Sequence, residues 1–168
     1  VGQDIDESTG DQLGLQVALF DVTDLSNPQQ IAKYVMKGWS SSESQHDHHA
    51  FRYLPSSKKL ILPISRNSDI MDRSFDGFYV FNIDPDLGEN SITKEFEVMH
   101  FDAEEINLRC YSPYYLKARS LVFDGNMVTL KGHSIQSHNL ESQNKLFNVE
   151  LDTYFENLIE EDTCHKWF

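Results

Sequence analysis

The chain has 168 residues, of which 27 are Asp or Glu and 14 are Lys or Arg, giving a formal charge of −13. A phosphate-binding surface needs clustered cations that displace counterions, and the longest basic cluster here is Lys58-Lys59, so nucleic acid is excluded as the expected partner. The 39% hydrophobic and 12% aromatic residues suffice for one globular core, yet no apolar run reaches the roughly 18 residues of a membrane-spanning helix.

Residues 1–13 are acidic and rich in turn formers, and are expected to be a linker or loop. No charged-then-apolar leader follows Val1, so any targeting peptide is expected to be removed or to lie outside this segment. Strand-like runs come next, at 14–22, 30–36, 48–54, 59–65, 77–83, 92–100, 110–116, 119–124, 126–131 and 133–140. Pro55-Ser56-Ser57-Lys58-Lys59 and Asp124-Gly125-Asn126 hold the residues of tight hairpin turns, so neighbouring strands are expected to be antiparallel. Leu151, Tyr154, Phe155, Leu158 and Ile159 follow a helical spacing and predict a short C-terminal helix and tail within 150–168. That helix would cap an open sheet edge or, alternatively, bind a partner.

A repeat organises the strands between 14 and 149. Val17-Ala18-Leu19-Phe20-Asp21-Val22-Thr23-Asp24 is echoed 61 residues later by Phe78-Tyr79-Val80-Phe81-Asn82-Ile83-Asp84-Pro85. His49 to Ile64 is echoed by Cys110 to Asp124 at a shift of 60, and Asn139 lies 57 after Asn82. A single unit of this size cannot cover its own apolar faces, so the period predicts stacked antiparallel sheets of the β-propeller type. The expected fold class is therefore all-β, with about two and a half four-stranded blades. Closed propellers have about four to eight blades, so these strands cannot complete a ring. The missing neighbours are expected to be further blades of the same protein or a separate protein partner.

The chain also resembles a known family. The run Gly14-Leu15-Gln16-Val17-Ala18-Leu19-Phe20-Asp21-Val22-Thr23-Asp24 with Asn27-Pro28, the Ser40-Ser41-Ser42-Glu43 turn, the Asp47-His48-His49-Ala50-Phe51 block and Gly77-Phe78-Tyr79-Val80-Phe81 are similar to secreted proteins with a C-terminal β-propeller domain distantly related to WD repeats. Residues 109–140 resemble that family's closing blade. Gln45-His46 and Leu130-Lys131-Gly132-His133 depart from its usual wording. The resemblance covers about residues 14–150 and implies a propeller that is secreted, or held outside the cell or in an organelle lumen. It brings no catalytic residues.

Candidate chemistry centres on Gln45-His46-Asp47-His48-His49. In an extended strand, residues 46 and 48 share one face while 47 and 49 share the other. His46, His48 and Asp47 are the candidate metal residues, with a further zinc ligand expected from His100, His133 or His138. The competing reading makes Asp47 and His48 structural turn residues, like Asp21 and Asn82 in the repeat. Acidic turns at Asp84-Pro85-Asp86-Leu87-Gly88-Glu89 and Asp69-Ile70-Met71-Asp72 offer oxygens to calcium without the 12-residue loop of the helix–loop–helix sites. Cys110 and Cys164 allow one disulfide or two thiols.

Catalysis finds little support. Gly-x-Ser-x-Gly is absent, and Glu104-Glu105 and Glu160-Glu161 are chain neighbours whose side chains point apart. The expectation is a non-catalytic scaffold or interaction module, with a zinc or calcium site at the His46 to His49 turn as the alternative.

Overall fold

The computed structural model describes residues 1–67, 74–101 and 117–151. They form twelve strands in three antiparallel sheets. The first sheet holds β1 (Gly2–Ile5), β2 (Gln12–Asp21) and β3 (Gln29–Lys37) in that order. The second holds β4 (Trp39–Ser41), β5 (Arg52–Leu54), β6 (Lys59–Asn67), β7 (Phe75–Ile83) and β8 (Ile92–Phe101). The third runs from β9 (Ala118–Phe123) through β10 (Asn126–Lys131) and β11 (Ser134–Asn139) to β12 (Lys145–Glu150).

Turn chemistry sets the hairpins. Asp124 and Gly125 both take positive φ, 49° and 72°, as a two-residue turn between strands of right-handed twist requires. Lys58 closes the Pro55–Ser57 turn with φ of 54°. In the second sheet, β4 and β5 lie along the same edge of β6, opposite residues 65–67 and 59–61. One strand position is thus split in two by the excursion at 42–51.

The sheets stack face to face through alternating side chains. Leu60, Leu62, Ile64, Tyr79 and Phe81 of the second sheet pack on Leu15, Val17, Ala32 and Met36 of the first. Ile61, Phe78, Val80 and Val98 point the other way, onto Ala118 and Met127 of the third. The middle sheet is therefore covered on both faces, which is why β7 reads as an almost unbroken apolar run rather than an alternation. The sheets behave as consecutive blades, and they do not close a ring.

The 61-residue repeat has a structural counterpart. Register shifts interrupt β2 between Leu19 and Phe20 and β7 between Val80 and Phe81, at matching positions of the two copies. Both strands also carry a glycine pressed against the following strand. A Cβ on Gly14 would stand 1.9 Å from the Met36 carbonyl oxygen, and one on Gly77 would stand 2.0 Å from that of Val98.

Several boundaries need correction. Residues 1–13 are not a linker: Gly2–Ile5 pairs with β2, and the Asp6 carboxylate closes the hairpin by accepting from Ser8 N and Thr9 N. The expected strand at 48–54 begins only at Arg52, because Ser42 and Asp47 each cap a short 3-10 turn, at 43–45 and 48–50. Trp39–Ser41 and Lys145–Glu150 are additional strands, and β12 carries the sheet through residue 150. The expected strand at 110–116, the expected helix beyond Leu151 and both cysteines lie outside the described residues.

Candidate functional site

The excursion between β4 and β5 brings the sequence-predicted residues together, in a form that differs from a strand. Ser42 N donates to Gln45 Oε1 at 3.1 Å, and the Ser42 hydroxyl caps the first turn, so the two side chains lock residues 42–45 reciprocally. Asp47 then caps the second turn: its Oδ1 accepts from His49 N and lies 2.9 Å from His49 Nδ1. The expected alternation of faces is lost. Asp47, His48 and His49 present ligand atoms within 4.8 Å of one another, whereas His46 ends the first turn, is exposed and is not part of the group.

Asp47 also reaches the next blade. Arg119 of β9 donates Nη2 to Asp47 Oδ2 at 2.6 Å and Nη1 to Glu43 Oε1 at 2.9 Å. Glu43 Oε2 accepts in turn from Ala118 N at 2.7 Å, and Lys117 Nζ stands 3.4 Å from Glu43 Oε1. The hydrogen bonds from His49, and then Arg119, hold the Asp47 carboxyl well below the usual carboxylate range. Hydrogen bonding to Glu43, with Asp47 adding to it, raises the Arg119 guanidinium further. Both Asp47 oxygens are therefore occupied by protein donors, and a cation would have to compete with Arg119.

A second polar cluster is buried between the second and third sheets. Lys131 of β10 pairs with Asp76 of β7, and both side chains are almost fully buried. Ser65 donates its hydroxyl to Asp76 Oδ1 at 2.5 Å, and Lys131 Nζ lies 3.1 Å from Ser65 Oγ. Burial pushes the Asp76 carboxyl up, while Lys131 and Ser65 pull it back. Alongside, His100 Nε2 meets Thr129 Oγ1 at 2.8 Å, its ring centroid is 5.5 Å from that of Phe78, and Gln136 Nε2 donates to Met99 O at 2.8 Å. Burial first, then Lys131 and His138, lowers His100 to about 3. Burial lowers His138 as well.

The remaining candidates take structural places. Asp21 Oδ1 accepts from Thr23 N and its hydroxyl at the end of β2, while Asn82 sits inside β7 opposite Lys59 and Thr93. Asp84 caps the turn at 85–90 and binds Lys58 at 2.8 Å, which commits the oxygen offered to calcium. His100, His133 and His138 lie in or beside the third-sheet interface, and none joins the Asp47 group. Asp69, Asp72, Glu104 and Glu105 lie outside the described residues. Glu43, Arg119, Asp76 and Lys131 were not singled out as site residues, because their partners lie far away in sequence. The Leu130-Lys131-Gly132-His133 run, which departs from the family wording, is the one sequence signal near Lys131.

Among the described residues, no helix is long and apolar enough to cross a membrane. A model of the family described as Beta propeller domain matches residues 1–143. No curated protein and no solved structure matches the chain.

Proposed function

We propose, from the premise that the chain belongs to the Beta propeller domain family, that it is a non-catalytic interaction module supplying three blades to a larger ring or complex. One observation carries this reading: the third sheet offers its far face to solvent. Leu121 is 64% exposed and Phe123 82%, and Phe147 and Val149 follow on β12 at 45% and 46%. The register places Leu121 beside Val128 and Ile135 beside Val149, so these side chains form one apolar face. Equivalent faces elsewhere in the chain are covered by the next sheet. A contiguous apolar surface of this kind marks an interface. The partner is a further blade or a protein presenting a similar sheet, in an extracellular or lumenal setting.

Sedimentation over a range of concentrations tests this, comparing the chain with a Leu121→Glu/Phe123→Glu variant. The chain associates and the variant stays monomeric with an unchanged melting temperature. A wild-type chain that remains monomeric at the highest concentration overturns the reading.

A second reading, a zinc or calcium site at the His46 to His49 turn, is supported by the Asp47, His48 and His49 grouping. It requires zinc or calcium to raise the melting temperature through mass action, and His48→Ala to abolish the rise. The commitment of Asp47 to Arg119 makes the inter-blade latch the better-supported use of this turn.

A further inference from the structure

We infer that the cleft between the first sheet and the start of the second binds a pyranose sugar, stacked on Trp39. This site lies apart from the apolar face of the third sheet and from the latch at Arg119, and it does not depend on either. The cleft has a volume of about 370 Å³, within the roughly 300–1,000 Å³ of small-ligand sites. Trp39, Gln3, Asp11 and Gln12 line it, with bare backbone at Gly14 and Gly38.

Trp39 is 71% exposed, although Trp is highly buried on average and its withdrawal from water is strongly favourable. Its neighbour imposes this position. Ser40 Oγ accepts from Leu15 N at 2.7 Å and donates to Met36 O at 2.8 Å, which anchors Ser40 on the first sheet. Successive strand residues point to opposite sides, so Trp39 is held outward. An aromatic platform is therefore presented to the cleft by a strand rather than by a loop.

The polar groups around it keep free hydrogen-bonding capacity. Gln3 Nε2 donates to Ser40 O at 3.4 Å and to Gln45 Oε1 at 3.5 Å, which leaves Gln3 Oε1 as an acceptor. Asp11 is held by its backbone, through N to Thr9 Oγ1 at 3.2 Å and O from Asp6 N at 2.9 Å. Among the described residues, no protein group bonds the Asp11 carboxylate, the Gln12 amide or the Trp39 indole N–H.

This set selects the chemistry of the ligand. Among the described residues no Lys, Arg or His lines the cleft, so phosphates and carboxylates would lack a counter-charge. A quaternary ammonium is held in a cage of several aromatic walls, and here there is one. A pyranose offers a flat face of C–H bonds to the electron-rich face of the indole. The hydroxyls at its rim both donate and accept. Gln side chains supply both roles in return, and the Asp11 carboxylate accepts.

The probes are the methyl glycosides of glucose, galactose, mannose and N-acetylglucosamine, with choline and inorganic phosphate as controls. Binding to the full chain is read by saturation-transfer NMR, and by fluorescence in a Trp167→Phe background where Trp39 is the one remaining tryptophan. At least one glycoside binds saturably in the millimolar range and shifts the fluorescence. Trp39→Ala weakens that binding by about tenfold or more, Trp39→Phe by less, and Gln12→Ala measurably, with melting temperatures unchanged. Absence of saturable binding by every glycoside, or a response to choline or phosphate alone, overturns the inference. Binding undiminished in both Trp39→Ala and Gln12→Ala does so as well. The Leu121→Glu/Phe123→Glu variant keeps its glycoside binding, so this inference and the interaction module fail separately.

Discussion

Arg119 grips Asp47 across 72 residues of sequence, with Nη2 2.6 Å from Oδ2, and through that contact the split strand of one blade is tied to the first strand of the next. The same guanidinium holds Glu43, so a single planar group spans two carboxylates. Arg119→Ala is expected to lower the melting temperature by a few degrees, and Arg119→Lys to restore only part, since an ammonium cannot bridge both partners in the same fork. Part of the wild-type advantage disappears in high salt, because the pairs are partly exposed. Equal melting temperatures for wild type and Arg119→Ala in low salt would rule out the latch.

The pair formed by Asp76 and Lys131 is expected to respond differently, because water does not reach it. Lys131→Met alone strands a buried carboxylate and should cost about 3–5 kcal/mol in denaturant unfolding. Adding Asp76→Asn should recover much of that loss, since the uncompensated charge is then gone. If the double variant is no more stable than Lys131→Met, the two side chains do not act as a charge pair.

How much of this was legible in the sequence depends on the kind of signal each element carries. The 61-residue repeat was readable because each copy must place a strand and a turn in the same order, whereas the register shifts at Leu19/Phe20 and Val80/Phe81 became visible only in the structure. The short strands were not. Gly2–Ile5 has four residues beside an acidic turn, Trp39–Ser41 has three, and Lys145–Glu150 is exposed along its whole length, so none shows a buried alternation. At the candidate site, the histidine-rich turn was visible but its shape was not. Ser42 and Asp47 are residues that cap helical turns, and their capping bonds outweighed the strand pattern expected from 48 onward. The partner Arg119 lies in another blade, which local spacing cannot reveal.

Acid should loosen the joint between the second and third sheets. His100 titrates near 3 in the folded chain and near 6.5 when unfolded, so between those values the unfolded chain binds a proton that the folded one refuses. Stability from this group is therefore complete above about pH 6.5 and is lost as pH falls, at up to about 1.4 kcal/mol per pH unit. Lys131, His133, His138 and Lys145 are the charged and titratable groups that disfavour its protonation. His100→Gln removes the titrating group and should flatten the dependence between pH 6.5 and 4, read as unfolding free energy at each pH. An identical slope in the variant would assign the acid sensitivity elsewhere.

Gly14 of β2 and Gly77 of β7 give the most direct test of the blade geometry, since the cost of a methyl group there follows from backbone contact alone. At Gly77 the new Cβ would stand 2.0 Å from the Val98 carbonyl oxygen and 3.0 Å from the Met99 Cα, both parts of the neighbouring strand rather than a movable side chain. At Gly14 the Met36 carbonyl oxygen lies 1.9 Å away, and φ is 142° besides. Gly14→Ala and Gly77→Ala must each push the following strand outward, which breaks ladder hydrogen bonds in a sheet whose faces are packed. Each is expected to destabilise by on the order of 2–4 kcal/mol in chemical denaturation. Gly2→Ala is the matched control, because nothing lies within 4 Å of its added Cβ, and it should change stability by less than about 0.5 kcal/mol. Tolerance of alanine at both glycines would mean that these strand pairs are not spaced as the register of β2 with β3 and of β7 with β8 requires.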